Sequence, residues 1–399
     1  MLSSTIFCQE LDLEEVLRRA KQDNFSIKKQ DLNIENNIIG TKNYYKKRFL
    51  PTIGFGAEGE LSEVGDKGVG PKSVSMKIDL DIGRQGLNEY KMKKNQLDIA
   101  QLNREKAWFS LQEEVIKTYF SYLSSKKKTE YTNKTLRSLE IHRKKLEKML
   151  SGGNLIPKNE LLKISIDIEE NNLQLIKSSY DETVLKQKLY TLMGLGLDQN
   201  IEFKEIEMSS LVIANRFDSL ERIEKKSVKH SINSRINDLE IQNAEYSNKI
   251  AKAELLPELY VKPEYIFEDT GYTEKGGRIT VGFNWNFEWG NTLNSIKMSN
   301  NSLEISKMSN AEKLANLTLE VRESFERLKM AKLSLDISNK KIVLMRENLK
   351  LDTSRFENRL MGSSDYLESI NSLKEAEEKL YEQKQEIFLL DLKLQNLIS

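Results

Sequence analysis

Between about positions 11 and 48, Leu13, Val16, Leu17, Ala20, Ile27, Ile34 and Ile38 recur every three to four residues. That spacing lines apolar side chains along one face of a helix. At FLPTIGFGAEGELSE the period drops to two, so the helix is predicted to yield to a strand. The same switch recurs where a helical pattern over about 218–253 runs into LLPELYVKPEYIFED, which places Leu50-Pro51 and Leu256-Pro257 206 residues apart. DLDIGRQG around Gly83 and NFEWGNTL around Gly290 repeat at a separation of 207. Two anchors at nearly one offset predict an internal two-fold repeat, 11–206 and 207–399. Each half reads helix, strand, glycine-rich loop, strand, very long helix, turn, helix. Residues 1–10 read as a disordered start or a signal remnant, because they lack a basic segment followed by an apolar one.

Strands are predicted at about 51–62, 73–82, 258–268 and 278–289. In SVSMKIDLDI, Val74, Met76, Ile78, Leu80 and Ile82 alternate with Ser75, Lys77, Asp79 and Asp81. In RITVGFNWNFEW, Ile279, Val281, Phe283, Trp285, Phe287 and Trp289 alternate with Thr280, Gly282, Asn284, Asn286 and Glu288. One face wants apolar surroundings and the other wants water. Pro263 interrupts a ladder unless its missing N–H meets a bulge or an edge, and GVGP (68–71) and TEKGG (273–277) read as loops. The alternation suits a soluble sheet packed on a core, and equally a barrel wall with lipid outside and water inside. Four strands close no ordinary barrel, so the second reading requires several chains to pool their strands.

Residues 291–360 contain neither Pro nor Gly, enough for a helix of about 105 Å. Its apolar positions follow a seven-residue repeat with Asn300, Lys307, Asn310, Ser324, Ser338, Asp352 and Arg359 intruding on the seam. A matching rod covers about 87–150 and turns at SGGNLIPKNE, and return helices follow at about 160–193 and 365–397. Only 5 of 399 residues are Pro, which permits such rods, and 31% are charged. The formal charge of +1 provides no net field for nucleic acid. One cysteine and two histidines exclude an intrachain disulfide framework and argue against a His/Cys metal cluster. Cys8 reads as a free thiol and His142, in a strongly polar stretch, as a surface residue. No apolar run reaches 18 residues, which excludes a transmembrane helix but not barrel strands. Phosphate-binding, dinucleotide, zinc and nucleophile-elbow motifs are all missing, so no enzymatic activity and no cofactor are expected.

The duplicated order, the Leu-Pro opening of each first strand, and the glycine passages Ile82-Gly83 and Trp289-Gly290 have a counterpart among known proteins. So do the turns followed by Asp365-Tyr366-Leu367-Glu368 after Gly362 and by Glu160-Leu161-Leu162-Lys163 after Gly153. Over essentially its full length the chain resembles the outer membrane efflux protein family, the TolC-like channels. The resemblance implies an α+β membrane protein in which three copies form one 12-stranded β-barrel, continued by a long α-helical barrel. It implies a passive exit channel in the outer membrane of a Gram-negative bacterium, extending into the periplasm. A periplasmic adaptor and an inner-membrane transporter would complete a tripartite efflux or type I secretion system for small molecules or polypeptides.

Carried over by position, Asp365 and Glu368 become a ring of gate carboxylates, with Glu160 and Lys163 in the matching places of the first half. Gly153, Asn154, Pro157, Gly362 and Ser363 become adaptor-contacting tips. Lys77, Asp79, Asp81, Asn284, Asn286 and Glu288 become lumen residues, and Ile78, Leu80, Phe283, Trp285, Phe287 and Trp289 face lipid. Asp365 also suits a helix cap, and the polar strand residues also suit an ordinary solvated face. An elongated periplasmic coiled-coil scaffold is the other expectation for the whole chain.

Overall fold

The computed structural model describes residues 9–61, 67–80, 84–151, 158–206, 219–267, 275–285, 288–358 and 360–398. In chain order the elements are β1 (Gln9–Leu11), α1 (Leu13–Asp23), α2 (Phe25–Phe49), β2 (Thr52–Leu61), β3 (Lys67–Leu80), α3 (Gln85–Ser151) and α4 (Lys158–Leu192). Then follow β4 (Ile201–Phe203), α5 (Leu220–His230), α6 (Ile232–Ala253), β5 (Glu258–Ile266), β6 (Gly276–Asn284), α7 (Trp289–Glu357) and α8 (Ser363–Ile398). The run helix, helix, strand, strand, long helix, helix occurs twice. The chain forms two compact units, one of Met1–Lys28, Lys106–Ser231 and Thr318–Ser399, the other of Lys29–Glu105 and Ile232–Leu317. Each unit draws on both halves of the sequence.

In the first unit the expected single helix over 11–48 is broken at Asn24, and the one over 218–253 at Ser231, 207 residues later. Asn24 adopts an extended conformation; its Oδ1 accepts from the Ser26 N–H (2.8 Å) and its Nδ2 donates to the Leu192 carbonyl at the end of α4 (2.9 Å). One side chain thus serves an orphan donor of α2 and an orphan acceptor of α4. At the second break Ser227 Oγ donates to the Leu397 carbonyl near the end of α8 (2.8 Å). The end of α4 closes with Gly194 at φ +71°, where the Leu195 N–H reaches the Tyr190 carbonyl (2.8 Å) and the Gly194 N–H reaches Thr191 (3.0 Å). That is a Schellman cap, and a Cβ on Gly194 would lie 2.4 Å from the Asp23 carbonyl oxygen.

The expected disordered start is corrected at its end: Gln9–Leu11 is a strand, paired in parallel with β4. Its attachment comes from a core that periodicity does not reveal. Phe203 of β4 is buried, its ring centroid 5.3 Å from Tyr122, 5.7 Å from Tyr119 and 6.1 Å from Tyr190. Tyr119 donates to the Lys204 carbonyl (2.7 Å) and Tyr190 to the Ile201 carbonyl (3.1 Å). Burial pushes the Tyr119 and Tyr122 hydroxyls up from the usual phenol range, so both remain protonated donors.

The polar residues on the long-helix stripe differ in burial: two are packed within the chain, whereas Asn300 is exposed. Asn300 accepts from Asn248 (2.8 Å), while Ser324 and Asp352 are buried. Asp352 accepts from Ser369 Oγ (2.6 Å) and Asn348 Nδ2 (2.8 Å). Those two hydrogen bonds let the Asp352 carboxylate stand at a helix interface where the stripe would otherwise place an apolar side chain.

Candidate functional site

Two features carry the expected function, one in each unit. In the second unit the four barrel-type strands form one antiparallel sheet in the order β2-β3-β5-β6. Its register stacks apolar positions into rows: Ile53 opposite Met76, Phe55–Val74–Tyr265, Ile78–Val261–Val281, and Leu80–Leu259–Phe283. Because alternate residues point to opposite faces, in-register alternation on four strands makes one continuous apolar face. That face is bare in the single chain: Ile279 and Val281 are each 72% exposed and Phe283 66%. Ile53, Ile78 and Trp285 are exposed as well.

The opposite face has Asp79 in register with Tyr260 and Gly282, and Glu264 with Ser75 and Arg278. The Glu264 carboxylate lies between Arg278 Nη2 (2.8 Å) and Lys262 Nζ (3.4 Å). The Tyr260 ring lies over Gly282, where an added Cβ would stand 2.5 Å from it and force the ring to move. Which residues Glu264 and Tyr260 meet across the sheet is a matter of register.

Several strand boundaries differ from expectation. β3 begins at Lys67, so the predicted GVGP loop is part of it. Ala57 pairs with Lys72 and Gly59 with Val69, so Gly70 and Pro71 fall in a bulge, where a residue without an N–H costs no ladder bond. Pro263 pairs with Ile279, while the β3–β5 ladder lapses between Ser75↔Glu264 and Ile78↔Val261. β6 ends at Asn284, not at 289. Glu288 sits outside the strand, accepting from Thr292 N–H (2.8 Å) and Asn291 Nδ2 (2.9 Å), and Trp289 opens α7. The Glu288 carbonyl thus accepts the first intrahelical bond of α7, and helix initiation wins over strand alternation. Asn284 is exposed at the end of β6, and Lys77, Asp79 and Leu80 occupy β3. Asp81, Asn286 and Phe287 lie outside the described residues.

In the first unit, α3–α4 and α7–α8 form two hairpins. At their turn ends Leu136, Leu139 and Leu146 of α3 pack with Ile164 and Ile168 of α4 and Leu367 of α8. With Leu367 turned inward, Asp365 and Glu368 are exposed on the first turns of α8; Lys163 is exposed and Glu160 half-buried on α4. Gly362 is exposed and Ser363 begins α8, whereas Gly153, Asn154 and Pro157 lie outside the described residues.

His142 overturns the surface reading. It is 6% exposed, with its ring centroid 4.2 Å from Phe356 of α7 and 5.6 Å from Tyr366 of α8. Its spacing of three from Leu139 and four to Leu146 was the available signal, outweighed by the surrounding charges. Among the described residues no cluster could hold a metal, and no helix is long and apolar enough to cross a membrane.

Neither a family model nor a curated protein sequence matches this chain. Solved structures do. CusC, whose structure concerns transmembrane channel formation, aligns with TM-score 0.84 at 13% identity, covering 97% of this chain and 92% of CusC. The outer membrane protein VceC of Vibrio cholerae aligns with TM-score 0.82 at 14% identity, over 97% and 95% of the two chains. The CmeC outer membrane channel of Campylobacter jejuni aligns with TM-score 0.82 at 14% identity, over 97% and 85%. At such identities the likeness speaks for architecture, and there the resemblance read from the sequence is borne out. The chain has the fold of the TolC-like outer-membrane efflux channels.

Proposed function

We propose that this chain is a passive outer-membrane exit channel, working as a homotrimer in a tripartite efflux or type I secretion system. The carrying observation is a four-stranded sheet with one bare apolar face and two open edges, since among the described residues β2 pairs only with β3 and β6 only with β5. In water, each large apolar side chain left exposed forfeits about 1.5–3 kcal/mol of burial. Three copies pooling four strands each close a 12-stranded barrel, remove every edge and give that face to lipid. The likeness to outer-membrane channels supports the same placement. On this reading the two halves descend from one repeat, and the long helices continue the barrel into the periplasm. Lys77, Asp79 and Asn284, on the polar face by strand alternation, then face the conduit.

Three-fold symmetry triples the exposed Asp365 and Glu368 at the narrow end, where a ring of carboxylates binds cations and selects among solutes. Glu160 and Lys163 add mixed charge, and the turns holding Gly153–Pro157 and Gly362–Ser363 offer surfaces to a periplasmic adaptor joined to an inner-membrane transporter. Energy and substrate choice reside in that transporter, and the channel itself performs no chemistry. Mass measurement in detergent with planar-bilayer recording tests this. A trimer with stable conductance is expected, and replacing both Asp365 and Glu368 by alanine should weaken block by divalent cations severalfold. A monomer without conductance overturns the channel; a soluble elongated oligomer favours the coiled-coil scaffold instead.

A further inference from the structure

We propose that His142 is an acid-sensitive latch that ties the first helical hairpin to the second near their turn ends. The proposal rests on the exit-channel reading for its biological use, as regulation of the tips that carry Asp365, but its geometry stands by itself. His142 of α3 touches the Phe356 and Tyr366 rings, which stack on each other with centroids 4.8 Å apart and planes 10° apart. The three rings come from α3, α7 and α8, so the contact crosses from one hairpin to the other. The histidine Nε2 is buried with no hydrogen-bond partner among the described residues.

The surroundings offer a protonated imidazole no counter-charge. On α3 the acting charge is Lys145, whose Nζ stands 5.7 Å from the Phe356 ring centroid and so already occupies the aromatic surface that would otherwise attract a second cation. On α7 Glu357, next to Phe356, is exposed, and the buried Asp352 is committed to Ser369, Asn348 and, at 3.8 Å, Arg355. On α8 Asp365, next to Tyr366, is exposed, as is Glu368. The neighbouring leucines of α3 belong to an apolar cluster to which α4 brings Leu161, Ile164, Ile168 and Leu175. Burial first and Lys145 second therefore hold the His142 pKa below the ordinary histidine value.

The sign follows. Above about pH 6.5 the ring is neutral whether packed or exposed, and the latch has its full strength. As the pH falls towards the lowered value of the packed ring, only the exposed ring takes the proton, and the open form gains up to about tenfold per pH unit. Acid separates the hairpin ends.

Hydrogen–deuterium exchange on the full-length protein in detergent tests the latch, following peptides spanning 139–150 and 352–369 at pH 7.5 and 5.5 with intrinsic rates divided out. Wild type should show an opening constant up to about tenfold higher in acid. His142→Phe, which keeps an aromatic ring but cannot titrate, should show no change, and Lys145→Gln, which removes the opposing charge, a smaller one. An equal acid response in wild type and His142→Phe overturns the latch; should that variant fail to fold, an undiminished response in Lys145→Gln does so. Bilayer recording on the same samples judges the channel separately: a latch response without conductance at either pH removes the channel and leaves the latch standing.

Discussion

Replacing Phe203 by alanine is expected to lower the stability of the first unit by about 3–5 kcal/mol, the range for deleting a fully buried aromatic ring. That is a large share of the 5–15 kcal/mol typical of a domain. The ring is 1% exposed and packs against Tyr119, Tyr122 and Tyr190. Its loss also loosens β4, which those tyrosines hold by hydrogen bonds to Ile201 and Lys204, and through β4 its partner β1. Thermal unfolding of the detergent-solubilised protein, followed by circular dichroism, checks this. A midpoint unchanged within error would show that the aromatic cluster does not hold the unit together.

The second large effect discriminates between the two faces of the sheet. Val281→Lys puts a charge on the bare apolar face, in the row Ile78–Val261–Val281. If that face meets lipid, the substitution costs about 2–4 kcal/mol near the bilayer midplane, and the protein should move from the outer-membrane fraction to aggregate. Thr280→Lys, one residue away on the other face and in register with Lys262, should leave insertion intact, because water meets that side. If the sheet instead lies in water, Val281→Lys is a surface change worth a few tenths of a kcal/mol, and both variants behave alike. Equal membrane recovery of the two would defeat the barrel assignment.

Most elements were legible because each has a period that survives without context. The alternation in SVSMKIDLDI and RITVGFNWNFEW identified β3 and β6, and the proline-free, glycine-free stretch identified α7. The errors share a cause. At Asn24 and Ser231 nothing in the local pattern ends a helix; Asn24 does so because its side chain finds the Leu192 carbonyl, 168 residues away. Three residues of β1 carry too little pattern to distinguish a strand from a loose start, and they become one only because β4 lies beside them. The alternation through Trp289 overran the strand because tryptophan suits both a lipid-facing strand and a helix start, and the bonds at Glu288 decide the matter.

The candidate site divides in the same way. Its apolar face follows from covalent order: a side chain two residues on returns to the same face of a strand, so the composition of each face is settled by the residues themselves. That Asp365 and Glu368 turn outward also follows, since Tyr366 and Leu367 lie between them and take the apolar contacts. Which residues become neighbours depends on contacts distant in sequence. Glu264 between Arg278 and Lys262, Asp352 bonded to Ser369, and His142 against Phe356 and Tyr366 all require strands in register or hairpins side by side. Periodicity specifies which face of an element is apolar, because it is local geometry. Burial of a particular polar group needs partners from other elements, and only the folded chain supplies them.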